Sequence, residues 1–201
     1  MNKDQTLTLS SGVEISFRVV RPDDAHALQR LHARCSERTI YLRFFGPMKN
    51  LLDQQARYFA STDGVDNFGL VALHPQDPEE IIAVVRYARK PSNERAEYAA
   101  LVEDSWQGQG VGTALAHRLI NVARGNEVRS FYALVKGGNE RMLNVLRHLD
   151  LPGQERIEDG GDRAILLRKP TNGVRALALS PFYVLQALQV SENSTSTHSG
   201  E

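Results

Sequence analysis

The chain has 201 residues, of which 41% are hydrophobic and 24% charged, a composition typical of a globular domain. Lys plus Arg and Asp plus Glu both number 24, so the formal net charge is zero, and neither nucleic acid nor an anionic membrane is indicated as a partner. No apolar run approaches the roughly 20 residues of a membrane span, and the N-terminus lacks the apolar core of a signal peptide. A single cysteine excludes an internal disulfide and disfavours zinc, so we expect a cytoplasmic protein without a metal.

The first elements are predicted from alternation and from helical spacing. Alternating apolar residues predict a strand over 13–20, and Pro22, with two acidic residues after it, starts a helix. A shorter helix is predicted over 51–60, followed by paired strands over 68–74 and 81–88. The buried face of the first helix is predicted to comprise Ala25, Leu28, Leu31 and Cys35.

A glycine-rich loop between a strand and a helix is the most informative segment of the chain. An apolar strand is predicted over 96–102, and apolar residues recur at helical spacing over 111–122. Glycines let a ligand approach the main chain closely, and the helix that follows presents unpaired N–H groups at its positive end. The predicted anion site, suited to a pyrophosphate, comprises Gln107, Gly108, Gln109, Gly110, Val111 and Gly112. Its glycine spacing differs from the dinucleotide fingerprint, and the lysine of the triphosphatase phosphate loop is absent.

A second helix with a capping signal follows the strand predicted over 130–135. Asn139 is a good N-cap, because its side chain can accept a hydrogen bond from an unpaired backbone N–H. The apolar stripe predicted on this helix consists of Met142, Val145, Leu146 and Leu149. A hairpin turn over 158–162 then leads into a last strand over 164–167.

The C-terminal residues differ in composition from the rest of the chain. Residues 171–190 are mostly apolar and predict a helical extension, whereas the polar stretch 191–201 predicts a disordered tail. The folded domain is therefore expected over 1–170.

The glycine loop and the second helix together resemble the two coenzyme A segments of the GNAT acetyltransferase superfamily. The loop resembles its Q/R-x-x-G-x-G/A pattern, and the helix that starts at Asn139 resembles N-x-x-A-x-x-L-Y-x-x-x-G-F. Two residues depart from the second pattern. Leu146 stands where many members carry a Tyr that protonates the leaving thiolate, and Asp150 stands where they carry Gly.

The order of the predicted elements is also that of the GNAT fold, and the resemblance covers residues 17–168. It implies an α/β fold with a mixed, mostly antiparallel sheet of about seven strands flanked by helices. Its fourth and fifth strands would splay apart to bind acetyl-CoA as co-substrate, with a main-chain N–H near Leu101 and Val102 as the oxyanion donor. The cofactor-binding residues that the resemblance implies are Leu101, Val102, Gln107, Gly108, Gln109, Gly110, Val111, Gly112, Thr113 and Asn139.

The segment from Thr39 to Pro47, between the two early helices, resembles the Y-x-R-F-F segment of bacterial protein lysine acetyltransferases of the Pat type. Enzymes of that type acetylate acyl-CoA synthetases and similar metabolic enzymes. Phe44 and Phe45 are expected to pack in the core, whereas Tyr41 and Arg43 could pack there or reach the substrate groove.

Acetyl transfer to an amine requires a proton acceptor, an oxyanion donor and aligned reactants. Glu97 is the candidate general base, because it shares a strand face with Ala99 and Leu101, an unusual environment for a carboxylate unless that face borders a cleft. The resemblance implies the same role, since Ala-Glu on this strand matches the base of histone and Pat-type acetyltransferases. Three other carboxylates are rivals but lie in turns at strand ends: Glu94, Glu103 and Asp104.

The sequence thus predicts an N-acetyltransferase that uses acetyl-CoA and acts on a protein lysine, for example of an acyl-CoA synthetase. Two alternatives stay open: a small-molecule amine N-acetyltransferase, and a non-catalytic CoA-binding regulatory module, which the missing Tyr at Leu146 leaves possible. Cys35 could also be interpreted as an acyl-carrying nucleophile, but a packing role is favoured. The histidines lack metal-binding spacing, and the sequence does not indicate an oligomeric state.

Overall fold

The computed structural model describes residues 5–9, 11–90, 94–149 and 151–168. All of them fall within one compact unit, Met1–Pro170. The extension predicted over 171–190 and the tail predicted over 191–201 lie outside the described residues. Within the described part of the chain, every helix is too short or too polar to cross a membrane.

Among the described residues, eight strands form one mixed sheet, which confirms the predicted α/β architecture with one strand more than expected. The strands are β1 (Gln5–Thr8), β2 (Glu14–Val19), β3 (Asn67–His74), β4 (Asp77–Ala88), β5 (Arg95–Val102), β6 (Ser130–Val135), β7 (Gly153–Ile157) and β8 (Arg163–Arg168). Their order is β1-β2-β3-β4-β5-β6-β8-β7, and only β5 and β6 pair in parallel. The additional strand, β1, is a short and mostly exposed edge strand, so it lacks the apolar alternation by which a strand is predicted.

In the part of the chain that the structure describes, five α-helices flank the sheet, and three of them precede β3 instead of the two that were predicted. They are α1 (Ala25–Arg34), α2 (Glu37–Phe44), α3 (Asp53–Ala60), α4 (Val111–Gly125) and α5 (Glu140–Arg147). The segment placed between two helices by the sequence is therefore itself mostly helical. Ser36 caps α2, because its hydroxyl oxygen accepts a hydrogen bond from the Thr39 N–H at 3.2 Å. The helix ends at Phe44, and the next residue, Phe45, has a left-handed φ of 63°, which is common directly after a helix.

The buried face of α1 is rotated relative to the prediction. The buried residues of this helix are Ala27, Leu28, Leu31 and His32. Cys35 is only half-buried, because the helix ends there in extended backbone and its periodicity no longer applies. The buried face of α1 therefore includes His32, which was not predicted, and does not include Cys35.

Apolar side chains cover both faces of the sheet. Val111, Leu115 and Leu119 of α4 are fully buried in the core on one face, which includes Val85 and Tyr87 of β4. Burying one such side chain stabilises the fold by about 1.5–3 kcal/mol. Successive strand residues point to opposite faces, so Val84 and Arg86 of β4 lie on the other face, under α1 and α3.

The sheet opens between β5 and β6. These two strands are the fourth and fifth of the prediction, renumbered by the additional β1. Their ladder contains three residue pairs and ends at Glu97 and Tyr132. Beyond that pair, β5 continues to Val102 and β6 to Val135. The predicted splayed cleft is therefore present, and the glycine loop follows β5 at its open end.

Candidate active site

Hydrogen-bond alternation along β5 determines which main-chain groups face the cleft. The Glu103 N–H donates to the Ile82 carbonyl at 2.9 Å, and Val102 lies opposite Ala83. In an antiparallel pair, alternate residues bond the same neighbour, so Leu101 also directs its main-chain groups toward β4. Val102 directs its main-chain groups toward the cleft. The sequence predicted a main-chain oxyanion donor near Leu101 and Val102. The Val102 N–H has the suitable orientation, whereas the Leu101 N–H faces β4.

The glycine loop has the open backbone that an anion site requires. Gly108 and Gly110 have φ values of 76° and 89°, and a β-carbon added at either would meet no described atom within 4 Å. Gly110 is also the N-cap of α4, without a side-chain cap, so the first N–H groups of a 15-residue helix are presented beside this space. Gly112 is packed instead, since its added β-carbon would lie 3.5 Å from the Val102 side chain.

The side chains of the loop are mostly engaged with the protein itself. The Gln107 amide donates to the Val102 carbonyl at 2.8 Å and to the Thr39 hydroxyl at 3.2 Å, and its oxygen accepts from Arg141. Gln109 donates to the Ser105 carbonyl at 2.8 Å. Val111 is fully buried, and Thr113 is half-buried in the first turn of α4. The predicted loop residues therefore come together around α4, with their main chain rather than their side chains toward the open space.

Asn139 caps α5 as predicted, since its side-chain oxygen accepts from the Met142 N–H at 3.1 Å. That helix ends at Arg147, earlier than the stripe to Leu149 indicated. Leu146 is only 2% exposed and packs in the core. The position that carries a tyrosine acid in many GNAT members therefore belongs here to the hydrophobic core.

Asp104 joins α2 to the segment that precedes the glycine loop. Its carboxylate accepts hydrogen bonds from the Ser36 N–H (2.8 Å), the Ser36 hydroxyl (2.7 Å) and the Thr39 hydroxyl (2.8 Å). Burial acts to raise the pKa of Asp104, but these hydrogen bonds outweigh it and hold the pKa below its usual value. The link was not predicted from the sequence, because its partners lie more than sixty positions apart.

Glu97 lies at the point where the cleft opens. It is half-buried on β5, opposite Ala88 of β4 and beside Tyr132 of β6, in the last pair of the parallel ladder. Arg43 of α2 and Arg86 of β4 are close enough for their charges to interact with its carboxylate. Burial lowers the pKa of Arg43 to about 10 and also lowers that of Arg86, and Glu97 opposes both shifts.

The rival carboxylates are engaged elsewhere. Glu94 is 61% exposed and lies 3.2 Å from the Arg129 guanidinium. Glu103 accepts from Arg34 at 2.9 Å, and Asp104 is bonded to α2. Glu97 is therefore the candidate base that both borders the cleft and lies on the sheet face beneath α1, α2 and α3.

A cavity of about 30 Å³ lies on that face, between α1, α2, α3 and strands β4 and β5. Two of its lining groups have buried nitrogens without a hydrogen-bond partner in the described structure: His32 Nε2 and Arg86 Nη1. These residues were missed in the sequence. The usable signal was Arg86 itself, a charge within the apolar run 81–88 of β4.

The Y-x-R-F-F segment divides between the core and the surface. Phe44 is buried as predicted, whereas Phe45 is only half-buried. Tyr41 is 42% exposed. The Lys136 ammonium, held 3.0 Å from the Asp162 carboxylate, lies 5.6 Å from the Tyr41 ring and 5.7 Å from the Phe45 ring. The C-terminal end of α2 thus lies close to the end of β6.

Cys35 is a poor nucleophile. Burial, aided by the negative charges of Asp104 and Glu103, raises the pKa of its thiol to about 12, and the thiolate is the reactive form. Among the described residues, the His, Cys, Asp and Glu side chains form no group of three that could hold a metal ion.

Comparison with known proteins agrees with this geometry. A model of the acetyltransferase (GNAT) domain matches residues 14–151. An acetyltransferase of Pseudomonas aeruginosa is 29% identical over 157 residues, which cover 76% of this chain and 82% of that protein. The GNAT domain of S. lividans PAT is 30% identical, with a TM-score of 0.75, and the match covers 83% of this chain and 97% of that domain.

A Salmonella typhimurium protein solved with its cofactor acetyl-CoA shares the fold, with a TM-score of 0.63 at 15% identity over 82% of this chain and 99% of that one. The family match covers more than half of the chain and includes the cleft, the glycine loop and α5. The chain therefore belongs to the GNAT family of acetyltransferases, enzymes that use acetyl-CoA as co-substrate.

Proposed function

We propose that the protein transfers the acetyl group of acetyl-CoA to a lysine ε-amine of a protein substrate in the cytoplasm, by direct transfer with Glu97 as general base. The observation that carries this proposal is the position of Glu97, half-buried in the last residue pair before β5 and β6 separate. The Y-x-R-F-F resemblance and the similarity to the GNAT domain of S. lividans PAT support a protein substrate. Tyr41, the first residue of that segment, is exposed and could contact such a substrate.

The amine must lose a proton before it attacks, because a lysine ammonium has an ordinary pKa of about 10.4. Glu97 accepts that proton in this proposal. Arg43 and Arg86 lie beside Glu97, and positive charges disfavour another ammonium nearby. The same site therefore favours the neutral, nucleophilic form of the incoming amine.

The amine nitrogen then forms a bond to the thioester carbonyl carbon, and the carbon–sulfur bond breaks. Negative charge that develops on the carbonyl oxygen is stabilised by the Val102 N–H, which faces the cleft. The leaving group is a thiolate, and an ordinary thiol has a pKa of about 8.5. A thiolate leaves near neutral pH without a strong acid, so the buried Leu146 is compatible with turnover.

The pyrophosphate of CoA is assigned to the main chain of the loop from Gln107 to Gly112. The open backbone at Gly108 and Gly110 and the uncapped start of α4 support this assignment. Gln107 fixes the Val102 carbonyl and thereby the end of β5. The side-chain oxygen of Asn139 accepts the capping hydrogen bond, so a hydrogen bond from Asn139 to the cofactor would be donated by its amide nitrogen.

The direct test is an acetylation screen of the purified protein with labelled acetyl-CoA against a panel of acyl-CoA synthetases and a panel of small amines. We expect label on a synthetase lysine, identified by mass spectrometry. A synthetase whose lysines have been acetylated chemically beforehand is the matched control and should accept no label. If the protein acetylates only small amines, its substrate is a small molecule and the proposal of a protein substrate is wrong. Tight CoA binding with no acetyl transfer to any amine would favour the regulatory module.

A further inference from the structure

The side chains of Gln107 and Arg141 connect the two sides of the cleft at its open end. The Val102 carbonyl faces the cleft, and the Gln107 amide donates a hydrogen bond to it at 2.8 Å. The oxygen of the same amide accepts a hydrogen bond from the guanidinium of Arg141, which lies in the first turn of α5. Gln107 follows β5 and α5 follows β6, so these hydrogen bonds run from one side of the opening to the other. Arg141 therefore lies beside the glycine loop, on the path proposed for CoA.

Arg141 carries a positive charge that is not neutralised within the described part of the chain. Its partner there is the neutral amide of Gln107, which uses one of the five N–H donors of the guanidinium. The carboxylate of the preceding residue, Glu140, lies 3.8 Å from Arg147 instead. The Arg141 side chain is also exposed, so its other donors can reach a ligand.

The surroundings of Arg141 favour an anion. A cation is disfavoured at the positive first turn of a helix, yet Arg141 is the second residue of α5. The start of α4 lies nearby, because a β-carbon added to Gly112 would lie 3.8 Å from the Val145 side chain of α5. One guanidinium and the positive ends of two helices thus converge on the glycine loop, and each of them stabilises an anion bound there.

We propose that Arg141 binds a phosphate group of CoA and exchanges its hydrogen bond to Gln107 for phosphate oxygens when the cofactor enters. The inference rests on the proposed function, which assigns the CoA pyrophosphate to the glycine loop. A guanidinium suits this role, because its planar fork can form two parallel hydrogen bonds to a phosphate. Gln107 keeps its bonds to Val102 and Thr39 after the exchange. CoA carries phosphate in its pyrophosphate and at the 3′ position of its ribose, and both groups have the chemistry that Arg141 recognises.

The test measures the Kd of acetyl-CoA and of acetyl-CoA without its 3′-phosphate by calorimetry. Arg141→Gln removes the charge, and it should weaken the binding of acetyl-CoA at least tenfold. If the partner is the 3′-phosphate, the variant should bind the dephosphorylated form as well as the wild type does. If the partner is the pyrophosphate, the loss should be at least tenfold with both forms. A loss below tenfold with acetyl-CoA overturns the proposal.

Arg147→Gln is the matched control on the same helix. Arg147 is also exposed, bonds Asn144 at 3.0 Å and lies six residues, or about 9 Å, further along α5. The control variant should bind acetyl-CoA as the wild type does, and an equal loss in both variants would overturn the assignment to Arg141. Arg141→Lys keeps the charge without the planar fork, so it should recover part of the affinity that Arg141→Gln loses.

Salt separates direct contact with phosphate from an effect that passes through Gln107. The ratio of the Kd of Arg141→Gln to that of the wild type should fall between about 0.05 and 0.5 M NaCl, because salt screens an exposed ion pair. A ratio that does not change with salt would mean that Arg141 only orients Gln107, and it would overturn the proposal. Failure of the proposed function has a different result, since the wild type would then transfer no acetyl group, whereas these Kd values require no acceptor.

Discussion

At the scale of single residues, Tyr98 shows how little of the buried polar chemistry is visible in the sequence. It is 4% exposed on β5, and its hydroxyl has no hydrogen-bond partner among the described residues. Burial raises the pKa of this phenol far above its usual value, so the group stays neutral. An unpaired buried hydroxyl costs about 1–3 kcal/mol relative to one that is hydrogen-bonded.

Tyr98→Phe should therefore leave the free energy of unfolding in urea unchanged or raise it by about 1 kcal/mol. Tyr87→Phe is the contrasting control, because the Tyr87 hydroxyl donates to the Val65 carbonyl at 3.0 Å and accepts from Asn126 at 2.8 Å. That variant should lose about 1–3 kcal/mol. Since the leaving thiolate needs no strong acid, kcat of Tyr98→Phe should stay within about threefold. A much larger fall in kcat would identify Tyr98 as an acid and would contradict this account of Leu146.

At the scale of elements, hydrogen bonds connect α2, on the proposed acceptor side of the cleft, to the segment before the glycine loop, on the proposed cofactor side. Asp104 binds Ser36 and Thr39 at the start of α2, and Gln107 bonds both Thr39 and the end of β5. The helix that carries Arg43 is thereby fixed relative to the predicted pyrophosphate loop.

Asp104→Asn should lower the melting temperature at pH 7 by about 2–4 °C, as expected for about 1 kcal/mol in a protein of this size. The pKa of Asp104 is lowered in the folded state, so the ionised carboxylate stabilises the fold above the unfolded-state pKa of about 3.9. That contribution is lost as the pH falls through the folded-state pKa. The melting temperatures of wild type and variant, measured by calorimetry from pH 7 downward, should therefore converge in acid. A difference that stays constant down to pH 2 would contradict the assignment.

The glycine loop makes an equally specific prediction about affinity. Gly110→Asp adds a side chain at a φ of 89° and a negative charge in the open space before α4. The Kd for acetyl-CoA, measured by calorimetry, should rise at least tenfold, or about 1.4 kcal/mol. Gly64→Asp is the control, because Gly64 has a similar φ of 80° and an open surrounding in a turn outside this loop. Equal affinities of the two variants would disprove the loop assignment.

The features that the sequence predicted are those that depend on local patterns. The loop at Gly108 and Gly110 depends on glycine spacing, the cap at Asn139 on one side chain, and the strand that carries Glu97 on a short apolar run. The features that were missed depend on tertiary contacts. Nothing local indicates that His32 rather than Cys35 is buried. The charge of Arg86 within an apolar run marks that residue as unusual, but its partners come from other elements. The short strand β1 is added at an edge by pairing with β2, although its own residues are mostly exposed.

At the scale of the whole molecule, the candidate site lies where the sheet is interrupted. The ladder between β5 and β6 ends after three pairs, and this single change opens the main chain of β5 to a ligand on its edge. The helices on the two faces of the sheet adjoin different parts of the candidate site. α4 and α5 adjoin the predicted CoA side, and α1, α2 and α3 cover the face that carries Glu97.

Removal of residues 191–201 should leave both the melting temperature and the affinity for acetyl-CoA unchanged. The polar composition of this stretch offers too little apolar area to offset the entropy of ordering it. Thermal unfolding and calorimetry of the full and shortened chains provide the test. A fall of several degrees in the melting temperature would show that these residues contribute to the fold.

The central claim is that Glu97 accepts the proton of the attacking amine, and the pH profile of Glu97→Gln tests it most directly. Glutamine keeps the shape but cannot take up the proton, so kcat near neutral pH should fall by about a hundredfold. Affinity for acetyl-CoA should barely change, and part of the rate should return at higher pH, where more of the amine arrives deprotonated. Glu94→Gln is the control. Glu94 directly precedes β5, is exposed and is paired with Arg129, so this variant should keep wild-type turnover. A Glu97→Gln variant with wild-type kcat and an unchanged pH profile would contradict the account.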